Sequence, residues 1–175
     1  RRDRQRRVFF YARHVTPRRG FELGLLALHR VSRALPDVQF ILAGWDSSSY
    51  EVPFPHLDAG VVPLDELPDL YSQCDVALVI SLTNISLLPL ELMACGCPVV
   101  SSRGRNVEWL LTDGETALLA DATPDALAGA LIRVLEDGEL REHLRARGLA
   151  LAHSTDWANE ARRVQQYLDI IRQEV

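Results

Sequence analysis

Short apolar runs and longer amphipathic stretches alternate along the first 120 residues. Residues 8–12 are mainly apolar and aromatic and predict a strand. From 21 to 35, apolar residues recur at Leu23, Leu26, Leu28, Val31 and Leu35, close to helical spacing, and Pro36 ends the run. Residues 38–43 predict the next strand, stopped by Gly44. Residues 50–56 contain Pro53 and Pro55 and predict a loop, followed by a short strand at 59–62. Residues 64–74 place Leu64, Leu67, Leu70 and Tyr71 on one side of a helix. Residues 75–80 are almost wholly apolar, as in a strand covered on both faces. Residues 87–95 predict a helix, with Gly96 just past its end, where glycine is favoured. A strand at 98–100, a short helix at 107–111, a turn at Asp113-Gly114 and a strand at 117–120 follow. Beyond residue 122 the pattern is helical. Thr123 caps and Pro124 opens a helix through 126–135, and helices follow at 139–150 and 156–171.

Strands and helices alternating at this spacing predict an α/β fold: a Rossmann-like parallel sheet with helices on both faces. In such sheets ligands gather beyond the C-terminal ends of the strands. The loops to inspect are therefore 13–20, 44–50, 63–66, 81–86 and 101–105. At 175 residues the chain suits one domain, residues 1–175, large enough to bury a full core. No run approaches the roughly 18 apolar residues of a membrane span, and no secretory signal pattern is present. A cytoplasmic location is expected. Met93 is the only Met, so the chain is expected to be part of a longer polypeptide.

Charge changes the picture. All 19 basic residues are Arg, and the formal net charge is -5. Eight of the Arg lie in residues 1–20, where Asp3 is the only acid, so the remainder is strongly acidic. An acidic domain is a poor nucleic-acid binder, and no nucleic-acid partner is expected. Without any Lys a Walker-type ATPase is excluded, and no G-x-G-x-x-G follows the first strand. Residues 1–7 read as a solvated tail. Arg13, Arg18 and Arg19 differ: they stand between a strand and a helix, beside Gly20. Guanidinium forks and helix amides together suit a small polyanion such as a phosphate. His14 reads as a residue behind that loop or in solvent. Cys74, Cys95 and Cys97 are odd in number and lack a second ligand pair, which predicts free thiols and no zinc or other metal.

The second informative loop is Ser81-Leu82-Thr83-Asn84-Ile85-Ser86, opening the helix that contains Glu91. Ser86 is the expected cap, Pro89 fits the first turn, and the free amides there suit a phosphate. Glu91 either complements the helix dipole or accepts hydrogen bonds from sugar hydroxyls. The residues alone leave both roles open.

Five stretches resemble, in order and spacing, the C-terminal, donor-binding domain of retaining glycosyltransferases with two Rossmann-like domains, the GT-B class of the glycosyl transferases group 1 family. Residues 8–20 resemble the family's strand and G-R-x-x-x-x-K-G loop, and residues 38–44 its V-x-L-x-I-x-G strand. Residues 60–76 resemble G-x-V-x-x-x-E-L-x-x-x-Y-x-x-A-D-V. The run Pro89-Leu90-Glu91-Leu92-Met93-Ala94-Cys95-Gly96-Cys97-Pro98-Val99-Val100 is the most specific match. Residues 113–120 resemble D-G-x-N-G-x-L. Residues 17–24 also resemble rhamnan-synthesis-type bacterial transferases.

The resemblance implies a bacterial enzyme of polysaccharide biosynthesis that transfers a hexosyl or deoxyhexosyl group from a nucleotide-diphosphate sugar. No metal or cofactor is implied beyond that donor substrate. Arg13 matches the Arg that contacts the diphosphate, and the family's Lys falls on Arg19, or on Arg18 if the loop shifts by one. Glu91 matches the second Glu of E-x7-E, which binds the ribose. The first Glu falls on Thr83, and the glycines that follow it on Asn84 and Ser86; Ile85 and Leu87 complete the expected donor-binding set. A neutral Thr83 alters the sugar contact and favours a deoxysugar donor such as rhamnose. The catalytic groups are unknown, being expected partly in an N-terminal acceptor domain outside this chain. That domain would bring the glycan or lipid-linked acceptor and any peripheral membrane contact, so the isolated chain is expected to bind but not turn over. Two alternatives stand beside this: a sugar-nucleotide epimerase of the same architecture, and a degenerate, non-catalytic binding domain.

Overall fold

Apolar strands too short to stand alone line up in one parallel sheet: β1 (Arg7–Tyr11), β2 (Gln39–Ala43), β3 (His56–Gly60), β4 (Val76–Val79), β5 (Val99–Ser102) and β6 (Leu118–Ala120). Their order across the sheet is β3-β2-β1-β4-β5-β6. The computed structural model describes residues 5–46, 50–155 and 157–173. Among the described residues, seven helices accompany the strands: α1 (Phe21–Ala34), α2 (Leu67–Ser72), α3 (Leu88–Ala94), α4 (Arg105–Glu108), α5 (Pro124–Glu136), α6 (Gly138–Ser154) and α7 (Trp157–Gln173). A 3-10 turn spans Pro17–Arg19.

The pleat divides every strand but β3 between two cores. Val8 and Phe10 join Phe40, Leu42, Val76 and Leu78 under α1 and α5. Phe9, on the opposite face, joins Ile41, Ala77, Val79, Tyr71, Leu92 and Met93 with α2 and α3. Phe9 and Phe10 are both fully buried, so truncating either to Ala would destabilise by about 3–5 kcal/mol. α5 packs beside α1, and α6 packs on α3. The predicted cap of α5 is present: the Thr123 hydroxyl accepts from Ala126 N–H at 3.3 Å, with Pro124 in the first turn. Gly96 takes φ 72° just beyond α3.

Two expectations are corrected. The third strand starts at His56, inside the stretch read as a loop, and ends at Gly60. It is an edge strand, paired through Phe40↔His56 and Ile41↔Leu57, with His56, Leu57 and Asp58 exposed. Backbone hydrogen bonds to β2 supply its pairing, so it lacks the apolar run that marks a buried strand. Residues 6 and 7 are not tail. Arg6 Nη2 donates to both carboxylate oxygens of Asp37 at 2.8 Å. Arg7 opens β1 and donates to Gln39 Oε1 at 3.0 Å and Gln73 Oε1 at 2.9 Å. Arg1–Arg4 lie outside the described residues. Among the described residues, no helix is long and apolar enough to cross a membrane.

Candidate functional site

The strand order reverses at β1. The chain runs outward to β2 and β3, then returns to lay β4 on the other side of β1. The loops leaving β1 and β4 therefore stand side by side, at the crevice where sheets of this kind receive ligands. Gly20 makes their approach possible. Its φ is 57°, and a Cβ there would stand 2.7 Å from Ile80 Cγ2, at the end of β4. Leu82 N–H donates to the Arg18 carbonyl at 3.0 Å. Arg19 Nη1 donates to Ser86 Oγ at 2.9 Å. The two loops singled out in the sequence are thus joined by one main-chain and one side-chain hydrogen bond.

This joining corrects the role expected of Ser86. Leu87 occupies the cap position of α3, with helical φ −71° and ψ −16°, and no side chain caps the helix. The Ser86 hydroxyl, displaced from the cap position, accepts from Arg19 instead. Pro89 does lie in the first turn.

Three guanidinium groups gather on the β1 loop, with Arg13 and Arg18 exposed and Arg19 half-buried. Among the described residues, no salt bridge engages any of them. Burial lowers the Arg19 pKa, the Arg18 and Arg13 charges press it down further, and Tyr11 opposes them. Like charges held this close favour an anion between them. Arg19, with Phe10, Tyr11, Ile80 and Leu88, lines a crevice of about 10 Å³ between the two strand ends, room for about one water.

Glu91 is exposed on α3, and its carboxylate accepts no hydrogen bond from the described residues. Burial raises the pKa of the Tyr71 hydroxyl, and the nearby charge of Glu91 raises it further, with a smaller contribution from Tyr11. Tyr11 also faces Arg19. Of the other expected residues, Thr83 and Asn84 are exposed, with Thr83 Oγ1 donating to Asn84 Oδ1 at 3.2 Å. Ile85 packs against the second core and Leu87 is exposed.

Sequence reasoning missed Tyr11 and Trp45. The Arg13 guanidinium carbon lies 5.7 Å from the centre of the Trp45 ring. Trp45 belongs to loop 44–50, which was marked by position alone; an aromatic residue after a strand is a signal for a core or a platform equally. His14 is packed rather than solvated, with ring centres of Tyr50 at 4.6 Å, Trp45 at 5.7 Å and Phe21 at 5.9 Å. Its Nδ1 is buried and has no hydrogen-bond partner among the described residues. No disulfide joins the three Cys, and Cys74 and Cys97 are buried. Among the described residues, no three His, Cys, Asp or Glu come together as a metal site.

Comparison with known proteins identifies the family and matches the fold. The sequence model of "Glycosyl transferases group 1" matches residues 5–137. The chain is 40% identical over 166 residues to the O-antigen biosynthesis protein RfbC of Myxococcus xanthus, covering 93% of this chain and 13% of that protein. It is 30% identical over 181 residues to the phosphatidyl-myo-inositol mannosyltransferase of Mycobacterium tuberculosis, covering 94% of this chain and 47% of that protein. The fold superposes on Anabaena HepE, solved with UDP and glucose, with a TM-score of 0.77 at 20% identity, covering 95% of this chain and 48% of that one. The chain thus spans no more than about half the length of these relatives. The epimerase alternative finds no support here, since the matched model is of glycosyl transferases. With a six-stranded Rossmann-like sheet, an arginine loop at its switch point and a family match over most of its length, the chain belongs to the glycosyl transferases group 1 family, of GT-B architecture.

Proposed function

We propose that this chain is the donor-binding domain of a glycosyltransferase and holds a nucleoside-diphosphate sugar over the loops that leave β1 and β4. One observation carries the reading: Arg13, Arg18 and Arg19 share the loop leaving β1 without a salt bridge among the described residues, and the β1 and β4 loops are hydrogen-bonded into one wall. The arginines receive the diphosphate, Glu91 accepts hydrogen bonds from the ribose, and the stretch Thr83–Leu87 faces the sugar. UDP bound in Anabaena HepE, which shares this fold, supports a nucleotide of that class. The O-antigen biosynthesis role of the Myxococcus relative supports a polysaccharide acceptor.

The mechanism follows from charge. As the glycosidic bond to the donor breaks, negative charge grows on the departing diphosphate. Preorganised guanidinium groups stabilise that charge without a metal ion. Transfer with retention, an acceptor domain supplied by the rest of the polypeptide, and a cytoplasmic site of action complete the proposal. Thr83 is neutral and exposed where the family carries a carboxylate, which favours a deoxyhexosyl over a fully hydroxylated hexosyl donor. The same residue supports a second reading, a domain that binds nucleotide but no longer transfers.

Calorimetry with UDP, dTDP and GDP in EDTA tests the proposal. Two or three charge-assisted contacts, less ordering costs, leave about 5–7 kcal/mol, or a Kd of about 10 µM to 0.2 mM. Heat of binding with one of the three is expected. No heat with any of them removes the donor-site reading.

A further inference from the structure

Arg13 does not project from its loop unsupported. Its guanidinium lies over Trp45, 5.7 Å from the ring centre, and Trp45 comes from the loop after β2, which the donor-site reading does not use. Trp45 is itself held. It meets His14 at right angles, 5.7 Å between ring centres and 83° between planes. His14 lies against Tyr50 at 4.6 Å and Phe21 at 5.9 Å. Phe21 opens α1, is 1% exposed, and stacks 6.4 Å from Phe10 of β1. A continuous run of rings thus leads from the exposed guanidinium to the sheet. Gly44 sets the exit from β2: its φ is 106°, and the Tyr11 ring occupies the space a Cβ would need.

Arg13 has reason to need this mount. It shares its loop with Arg18 and Arg19, and like charge drives a long flexible side chain outward into solvent. The face of an indole attracts a cation, and a planar guanidinium stacks on it well. A guanidinium already held near the crevice loses less freedom when it turns to an anion. The Nδ1 of His14, without a hydrogen-bond partner among the described residues, fits the same account, because the ring serves there as packing between Trp45 and Phe21.

We propose that Trp45 is the positioning residue for Arg13, holding its guanidinium beside the diphosphate site through the ring face. The inference rests on the reading that Arg13 contacts the donor diphosphate. It assigns a role to the loop after β2 and predicts that Trp45 acts only through Arg13.

A double-mutant cycle on the 175-residue chain, read by calorimetry with UDP, separates the two ideas. Trp45→Leu is expected to weaken UDP about two- to five-fold, the range for a cation over an exposed ring. Trp45→Tyr, which keeps a π face, should retain most of the affinity. Arg13→Ala should lose more, and adding Trp45→Leu to it should cost nothing further. Indole emission should shift on saturation with UDP as the diphosphate joins the guanidinium held over the ring, and the shift should vanish in Trp45→Tyr and in Arg13→Ala. Melting curves by circular dichroism check that each variant is folded; if Trp45→Leu is not, Trp45→Tyr and the emission signal carry the test. Wild-type affinity in Trp45→Leu alongside a weakened Arg13→Ala overturns the role of Trp45 and leaves the donor site standing. An equal loss from Trp45→Leu with and without Arg13 overturns it too, since Trp45 would then act independently. No UDP binding by the unmodified chain overturns the donor-site reading for UDP and this inference with it.

Discussion

Replacing Arg19 by Met separates the charge of this residue from its stem. The stem lines the crevice with Phe10, Tyr11 and Leu88, and Met keeps an apolar chain of comparable reach there. What disappears is the guanidinium, with its 2.9 Å hydrogen bond to Ser86. Losing a bond of that kind from a half-exposed position destabilises by about 1 kcal/mol. Against this, the variant no longer buries a charge or holds it beside Arg18 and Arg13, the causes that lower the Arg19 pKa. The two effects oppose, so the net change in stability should stay within about 1 kcal/mol, or about 2–4 °C in Tm for a chain of this size. Binding has no such offset. A charge-assisted contact to phosphate contributes about 1.5–3 kcal/mol, so the Kd for a nucleoside diphosphate should rise about 10- to 150-fold. Calorimetry and a melting curve on the same preparation read both quantities. Unchanged affinity would refute the assignment of Arg19 to the diphosphate. A Tm loss several times larger than this, with unchanged affinity, would make Arg19 a structural tie between the two loops.

Three further outcomes are expected. Glu91→Ala should weaken nucleotide binding by about 1–3 kcal/mol through lost ribose bonds and leave Tm nearly unchanged, because the exposed carboxylate accepts no hydrogen bond from the described residues; a large Tm loss with unaltered affinity would reduce Glu91 to a helix-dipole partner. Thr83→Glu in the full-length polypeptide should raise turnover with fully hydroxylated hexose donors over deoxysugar donors at similar nucleotide affinity; best turnover of the unaltered enzyme with UDP-glucose or GDP-mannose would defeat the argument from Thr83. Gly20→Ala should destabilise by about 2–4 kcal/mol, since it combines a left-handed backbone with a contact 2.7 Å from Ile80. A Tm within 2–3 °C of the unaltered chain would mean that the two loops separate easily.

Periodicity carries far in this chain because nearly every strand is buried on both faces. Val76–Val79 must be apolar throughout to sit between two helical layers, and that need is written into the residues. Local rules also held where a single residue does the work, as at Thr123, Pro124 and Gly96. They failed where pairing replaces burial. β3 is an exposed edge, so nothing in His56, Leu57 or Asp58 announces a strand until β2 lies beside it. They failed again at Ser86, whose hydroxyl satisfies the local rule for a helix cap yet is taken by an arginine 67 residues away. Arg13, Arg18, Arg19 and Glu91 were legible as a candidate site because charged residues between apolar elements stand out, and because the surrounding motifs resemble one family. Their companions Tyr11, Trp45 and His14 were not. Aromatic residues read the same whether they fill a core or brace a binding group, and only the folded arrangement of rings distinguishes the two. The residues by themselves determined an α/β domain with an arginine-rich loop after the first strand. The tertiary structure alone decided that this loop meets the one after β4, because the strand order reverses between them and a glycine lets their backbones close.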